Sequence, residues 1–195
     1  MWYIEERNKF IQAVNNPKLK KPEDYFTPDD VAQFVALAIK KYVGDTKDLS
    51  LLDPMAWSWN LVYQIVDKLW KGKFSKIILN RYNQKADDTN LYGKLRTELE
   101  NYTAEVIFSK KDINNLNTKA DIVVVNLDWK FLWKHSIIQG LTNWYCFMLD
   151  TKSKSQVESN SDFSLQAVVN LWEVWIWWRR YYLYVYKKES ETKKS

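Results

Sequence analysis

The chain has 195 residues, 46% hydrophobic and 27% charged, with a formal net charge of +5, which is enough to bury one sizeable core and too little for two. A single cysteine, Cys146, excludes an internal disulfide, a single histidine with no Cys/His cluster argues against a metal site, and no apolar run is long enough to cross a bilayer as a helix. Eleven tryptophans against four glycines invert ordinary usage, so turns that elsewhere rely on glycine are expected to be strained or rebuilt around bulky side chains.

The chain opens Met1-Trp2-Tyr3-Ile4-Glu5-Glu6-Arg7, without a basic region leading into an apolar run, so no signal peptide is visible and the expected location is the cytoplasm. Residues 4–14 pattern as a helix stopped by Asn15-Asn16-Pro17, and a basic linker follows at Lys18–Lys21, so residues 1–24 read as an appendage. Thr27-Pro28-Asp29-Asp30 is a helix start: a capping hydroxyl, a proline at the first helical position and acids at the positive end of the dipole. That helix points Val31, Phe34, Val35, Leu37, Ala38 and Ile39 inward and ends near Gly44.

A first strand is expected at Leu49–Leu52, ended by Asp53-Pro54. A helix over 60–70, a strand at Lys76–Asn80, a helix over 86–101 and strands at Thr103–Phe108 and Ala120–Asn126 follow. Continuous Ile/Val runs suit strands covered on both faces, and their alternation with helices argues a parallel sheet. Phe131–Leu149 is apolar without clean periodicity, and Thr151–Asp162 reads as a polar loop. Residues 163–178 pattern as a helix, Tyr181–Tyr186 as a fifth strand, and 187–195 as a disordered charged tail. The expected fold over 25–186 is an α/β three-layer sandwich of the Rossmann-like kind with strand order 3-2-1-4-5 and a ligand crevice beyond the C-terminal ends of the first and fourth strands.

Three stretches carry a resemblance. Tyr25-Phe26-Thr27-Pro28-Asp29-Asp30, then Asp53-Pro54 with Asn60-Leu61, then Asp121-Ile122-Val123-Val124-Val125-Asn126-Leu127-Asp128-Trp129 resemble, in order, the Thr-Pro helix start, the cofactor loop and the Asn-Pro-Pro-aromatic strand end of adenine-specific DNA N6-methyltransferases, including modification subunits of type I restriction systems. The resemblance implies a sheet of the S-adenosylmethionine-dependent methyltransferase type. It assigns cofactor contacts to Thr27, Pro28, Asp53, Pro54, Asn60 and Asp112, and base contacts to Asn126 and Trp129. In the family that asparagine and the following carbonyl accept from the adenine amino group while the aromatic ring stacks on the flipped base.

The departures fall on the same motifs. Trp57 and Trp59 stand where the family's loop has glycines, which admit φ > 0 and close approach of a ligand to backbone N–H groups. Leu127 and Asp128 replace both prolines, removing the φ restraint that aims the carbonyl. Arg81 stands about where a ribose-binding acid belongs. The expectation is therefore a truncated methyltransferase-like domain, inactive or strongly impaired, since a final antiparallel strand pair has no room after Tyr186. The alternative is a non-catalytic binding or scaffold protein that uses the aromatic and basic stretch 172–182, Trp172 to Tyr182. The basic charge admits DNA as a partner, and an open sheet edge admits a protein subunit. His135 is too isolated in the sequence to signal a catalytic dyad or a metal site.

Overall fold

The computed structural model describes residues 27, 29–56, 60–69, 72–80, 96–103, 105–127, 135–150, 160–171 and 181–189. Among these run helix α1 (Asp29–Val43), strand β1 (Leu49–Asp53), helix α2 (Asn60–Leu69), strands β2 (Phe74–Asn80) and β3 (Glu105–Ser109), a 3-10 turn (Ile113–Asn115), strand β4 (Ala120–Asn126), the short helix α3 (His135–Gly140), and strands β5 (Thr142–Asp150), β6 (Phe163–Asn170) and β7 (Tyr182–Lys188). Residues 96–100 are also helical, within the helix expected over 86–101. The helix expected at 4–14 and the basic linker lie outside the described residues.

Seven strands form one sheet in the order β3-β2-β1-β4-β5-β7-β6. The first five are mutually parallel, and β1 lies parallel to β4 with Leu51 opposite Ile122. The chain moves outward from β1 to β2 and β3, then returns to place β4 on the other side of β1. The β1/β4 junction is therefore the switch point, as expected.

Beyond β4 the sequence reading needs correction. The strand beside β4 is Thr142–Asp150, inside the stretch that showed no periodicity. Residues 163–170, expected as half of a helix, are strand β6, and the strand expected at 181–186 is β7, running to Lys188 and antiparallel to both β5 and β6. The final antiparallel pair thus lies in residues 163–188 rather than after them. β6 is an outer strand, partly exposed on both faces, so its apolar residues follow no strict alternation and its sequence patterns like a helix. β5 escaped notice because it is buried on both faces over most of its length.

The sheet divides two cores. Leu51, Ile77, Leu79, Ile122, Val124, Phe147 and Val185 pack with Val35, Ile39, Leu61 and Ile65 of α1 and α2 on one face. Their strand neighbours Leu52, Ile78, Val123, Val125, Cys146, Met148 and Tyr184 face the other way, against Ile138 of α3 and Ile113 and Leu116 around the 3-10 turn. Helix α1 opens with Asp29 and Asp30 and closes with Lys40 and Lys41, the charge order its dipole favours. Gly44 ends it at φ 63°, where its carbonyl accepts from the buried ammonium of Lys73. Among the described residues the left-handed positions fall to Gly44, Gly72 and, before β1, Asp48 at φ 59°, a residue type whose short polar side chain tolerates that conformation. No helix among the described residues is long and apolar enough to cross a membrane.

Candidate functional site

At the switch point β1 ends in Asp53, whose side chain is buried beside the first core. Alternation along β1 puts Leu49, Leu51 and Asp53 on one face, so the last residue of an otherwise apolar strand face turns a carboxylate toward the helices α1 and α2. One oxygen accepts from the Met55 backbone N–H at 2.9 Å, holding the Asp53-Pro54 turn. Burial pushes the Asp53 carboxyl up to about 7, against the smaller opposing effect of that hydrogen bond. Lys73 and Lys76 are engaged elsewhere, with the Gly44 carbonyl and Glu105.

Across the junction β4 ends in Asn126, half-buried, and its side-chain amide donates to the buried Thr27 hydroxyl at 3.1 Å. Two of the sequence-predicted residues, 99 positions apart, are thus brought into contact at the C-terminal edge of the sheet. Asn60 opens helix α2. Pro28, Trp57, Trp59, Arg81, Asp128 and Trp129 lie outside the described residues, as does the aromatic stretch Trp172–Arg180.

The end of β2 holds a residue the sequence reading passed over. Asn80 is fully buried. Its amide donates to the Pro54 carbonyl at 3.0 Å and the Lys111 carbonyl at 2.9 Å, and accepts from the Lys111 N–H at 3.0 Å. Its own carbonyl accepts from the Ala56 N–H at 2.9 Å. One side chain thereby ties the loop after β1 to the loop after β3. Asp112, expected to face a cofactor, is half-exposed and caps the 3-10 turn by accepting from the Asn114 backbone and side-chain nitrogens, each at 2.8 Å.

The histidine dismissed as isolated has an acidic partner. His135 Nε2 lies 2.5 Å from the Asp150 carboxylate, with both side chains almost wholly out of solvent. The ring also stands edge-on to Tyr184 and Tyr186 at centroid distances of 5.8 and 6.4 Å. His135 Nδ1 and, one helical turn on, Gln139 Nε2 are buried without a hydrogen-bond partner. The packing of α3 against the strand that follows it brings His135 to Asp150, and the pairing of β5 with β7 adds the two tyrosines. Among the described residues no group of three or more His, Cys, Asp or Glu is placed to hold a metal ion.

No protein-family model matches the chain. Over 73 residues it is 27% identical to the uncharacterized protein YtxK of Bacillus subtilis, a match covering 37% of this chain and 21% of that protein. Similar solved structures include a candidate class I S-adenosylmethionine-dependent methyltransferase of Listeria monocytogenes (TM-score 0.67, 18% identity, covering 97% of this chain and 70% of that one). A candidate methyltransferase of Escherichia coli, YhhF, is also similar (TM-score 0.60, 14% identity, covering 85% and 89%). So is the magnesium protoporphyrin IX methyltransferase of Synechocystis, solved with S-adenosylmethionine bound (TM-score 0.57, 9% identity, covering 83% and 79%). At such identities the likeness is one of fold: the chain has the fold of S-adenosylmethionine-dependent methyltransferases.

Proposed function

We propose that this chain is a methyltransferase-fold module of the N6-adenine DNA methyltransferase type, which binds S-adenosylmethionine weakly at the β1/β4 junction and transfers its methyl group poorly or not at all. The contact between Asn126 and Thr27 carries the reading, because it joins the two motif ends that resemblance assigns to base and cofactor. S-adenosylmethionine, when bound, supplies an electrophilic methyl group. Asp53 and Thr27 fit its methionine end: a buried carboxyl pushed up to about 7 gains most from an ammonium beside it. The described residues do not fit its ribose end, where Asn80 offers an amide already bonded to three backbone groups.

In this reading Asn126 accepts from an adenine amino group and Trp129 stacks on the base, with Pro28, Pro54, Asn60 and Asp112 as further cofactor-side residues. DNA and a partner protein subunit are the proposed partners. The weakness proposed for cofactor binding rests on the sequence departure at 57 and 59, where tryptophan replaces the glycines that let a ligand approach backbone in the family this loop resembles. Isothermal calorimetry with S-adenosylmethionine, paired with labelled-methyl transfer to adenine-containing DNA, tests the proposal. The wild-type chain should bind more weakly than micromolar and transfer nothing measurable, and Trp57→Gly with Trp59→Gly should raise affinity. Micromolar binding with turnover by the wild type would overturn the impairment, and absence of binding in every variant would overturn the cofactor assignment.

A further inference from the structure

We propose that Asn80 is an internal clamp, occupying with the chain's own backbone the hydrogen-bonding positions that a nucleoside diol would need, so that the clamp must open before a nucleoside can be held there. This deepens the cofactor reading given above and rests on it for the identity of the ligand.

The polarity of the clamp is fixed by its partners. Carbonyl oxygens can only accept and a backbone N–H can only donate, so Pro54 O, Lys111 O and Lys111 N–H together leave the Asn80 amide one orientation. The pairing with Lys111 uses both of its backbone groups and prolongs the β2/β3 ladder, whose last registered pair is Asn80 with Ser109, by means of a side chain. Both amide hydrogens are used and the residue has no solvent-exposed surface. With no exposed surface, Asn80 can meet a ribose hydroxyl only after the Pro54 or the Lys111 segment has moved off it, which breaks at least one of these bonds at a cost comparable to the bond gained.

The same geometry names the change that opens it. In Asn80→Asp, nearly equal in size, burial pushes the carboxyl up as it does at Asp53, so the variant is read at a pH where it is ionised: a carboxylate oxygen then replaces the nitrogen and meets the Pro54 and Lys111 carbonyls with no proton to offer either. The two loops then repel the side chain, and the carboxylate is released as an acceptor for both hydroxyls of a cis-diol. Asn80→Ser also opens the clamp but supplies a weaker single acceptor.

The test compares wild type, Asn80→Asp and Asn80→Ser in the full chain, with S-adenosylmethionine, adenosine and 2′,3′-dideoxyadenosine as probes and hydrogen exchange read at the Ala56 and Lys111 amides. Both variants should exchange these two amides at least tenfold faster. Asn80→Asp should bind S-adenosylmethionine and adenosine at least tenfold more tightly than wild type, with no gain for the dideoxy probe. Unchanged exchange in both variants overturns the clamp, as does a gain for the dideoxy probe equal to that for adenosine. Should Asn80→Asp fail to melt cooperatively, Asn80→Ser decides on exchange and on its smaller gain for adenosine. Faster exchange with no S-adenosylmethionine binding in any variant, Trp57→Gly/Trp59→Gly included, would sink the cofactor reading; if adenosine affinity still rises, the clamp stands.

Discussion

Asp53 is the residue whose ionisation bears most directly on stability. Burial pushes its carboxyl up to about 7 in the folded chain from an ordinary 3.8, so between those values the folded state keeps a proton that the unfolded state has lost. Stability from this group is full below about pH 4, falls as pH rises toward 7, and is flat beyond, spanning on the order of 4 kcal/mol. Asp53→Asn should abolish that slope. Urea midpoints for both proteins from pH 4 to 8 should converge at acid pH and separate at neutral pH, with the variant the more stable; parallel curves would show that Asp53 keeps its charge throughout. Adding a cationic ligand at neutral pH should reduce the difference, because it stabilises the carboxylate that asparagine lacks.

At the scale of elements, the His135–Asp150 pair joins a six-residue helix, α3, to the end of β5 through side chains that are 2% and 0% exposed. Truncating Asp150 to Ala leaves a ring N–H buried with nothing to accept it and should cost about 1–3 kcal/mol, whereas removing both polar groups, as in His135→Phe with Asp150→Leu, should cost less. A double-mutant cycle in urea measures the difference, and additive losses would mean that the pair is not coupled. Sequence reading served elements unequally for related reasons. Strands β1, β2 and β4 announce themselves through the short apolar runs Leu51-Leu52, Ile77-Ile78-Leu79 and Ile122-Val123-Val124-Val125 that end at Asp53-Pro54, Asn80 and Asn126, and α1 through its Thr-Pro-Asp-Asp start and 3.6-residue stripe. The edge strand β6, with Leu165, Val168 and Val169 also at helical spacing, looks like a helix until β7 pairs with it. The positions of Asp53, Asn126 and Thr27 were legible because the first two end recognisable strands and the third precedes a recognisable helix start. Asn80 was not, since its bonds go to backbone groups 26 and 31 positions away, and the His135–Asp150 pair was not, since it depends on how a six-residue helix folds back on a strand that showed no periodicity.

For the molecule as a whole, β7 holds the C-terminal third together, lying between β5 and β6 and covering Cys146 and Met148 with neighbours on its own strand. Burial pushes the Cys146 thiol up, so it is a poor nucleophile in the intact fold. Deleting residues 182–195 should turn Cys146 from inert to reactive toward a thiol reagent, and a thiol as slow as that of the full chain would show that β5 is shielded by something other than β7. The strand order also sets a timetable for synthesis. β6 is translated before β7 yet lies outside it, so a nascent chain carries a finished parallel half and an unpaired β6 until Lys188 has cleared the ribosome. At ordinary elongation rates that interval is on the order of seconds, long compared with hairpin closure. Within it the bare margin of β5, with the apolar Phe147, Met148 and Leu149, is open to other nascent chains, and chaperone demand for this protein should depend on how quickly its last strand is delivered.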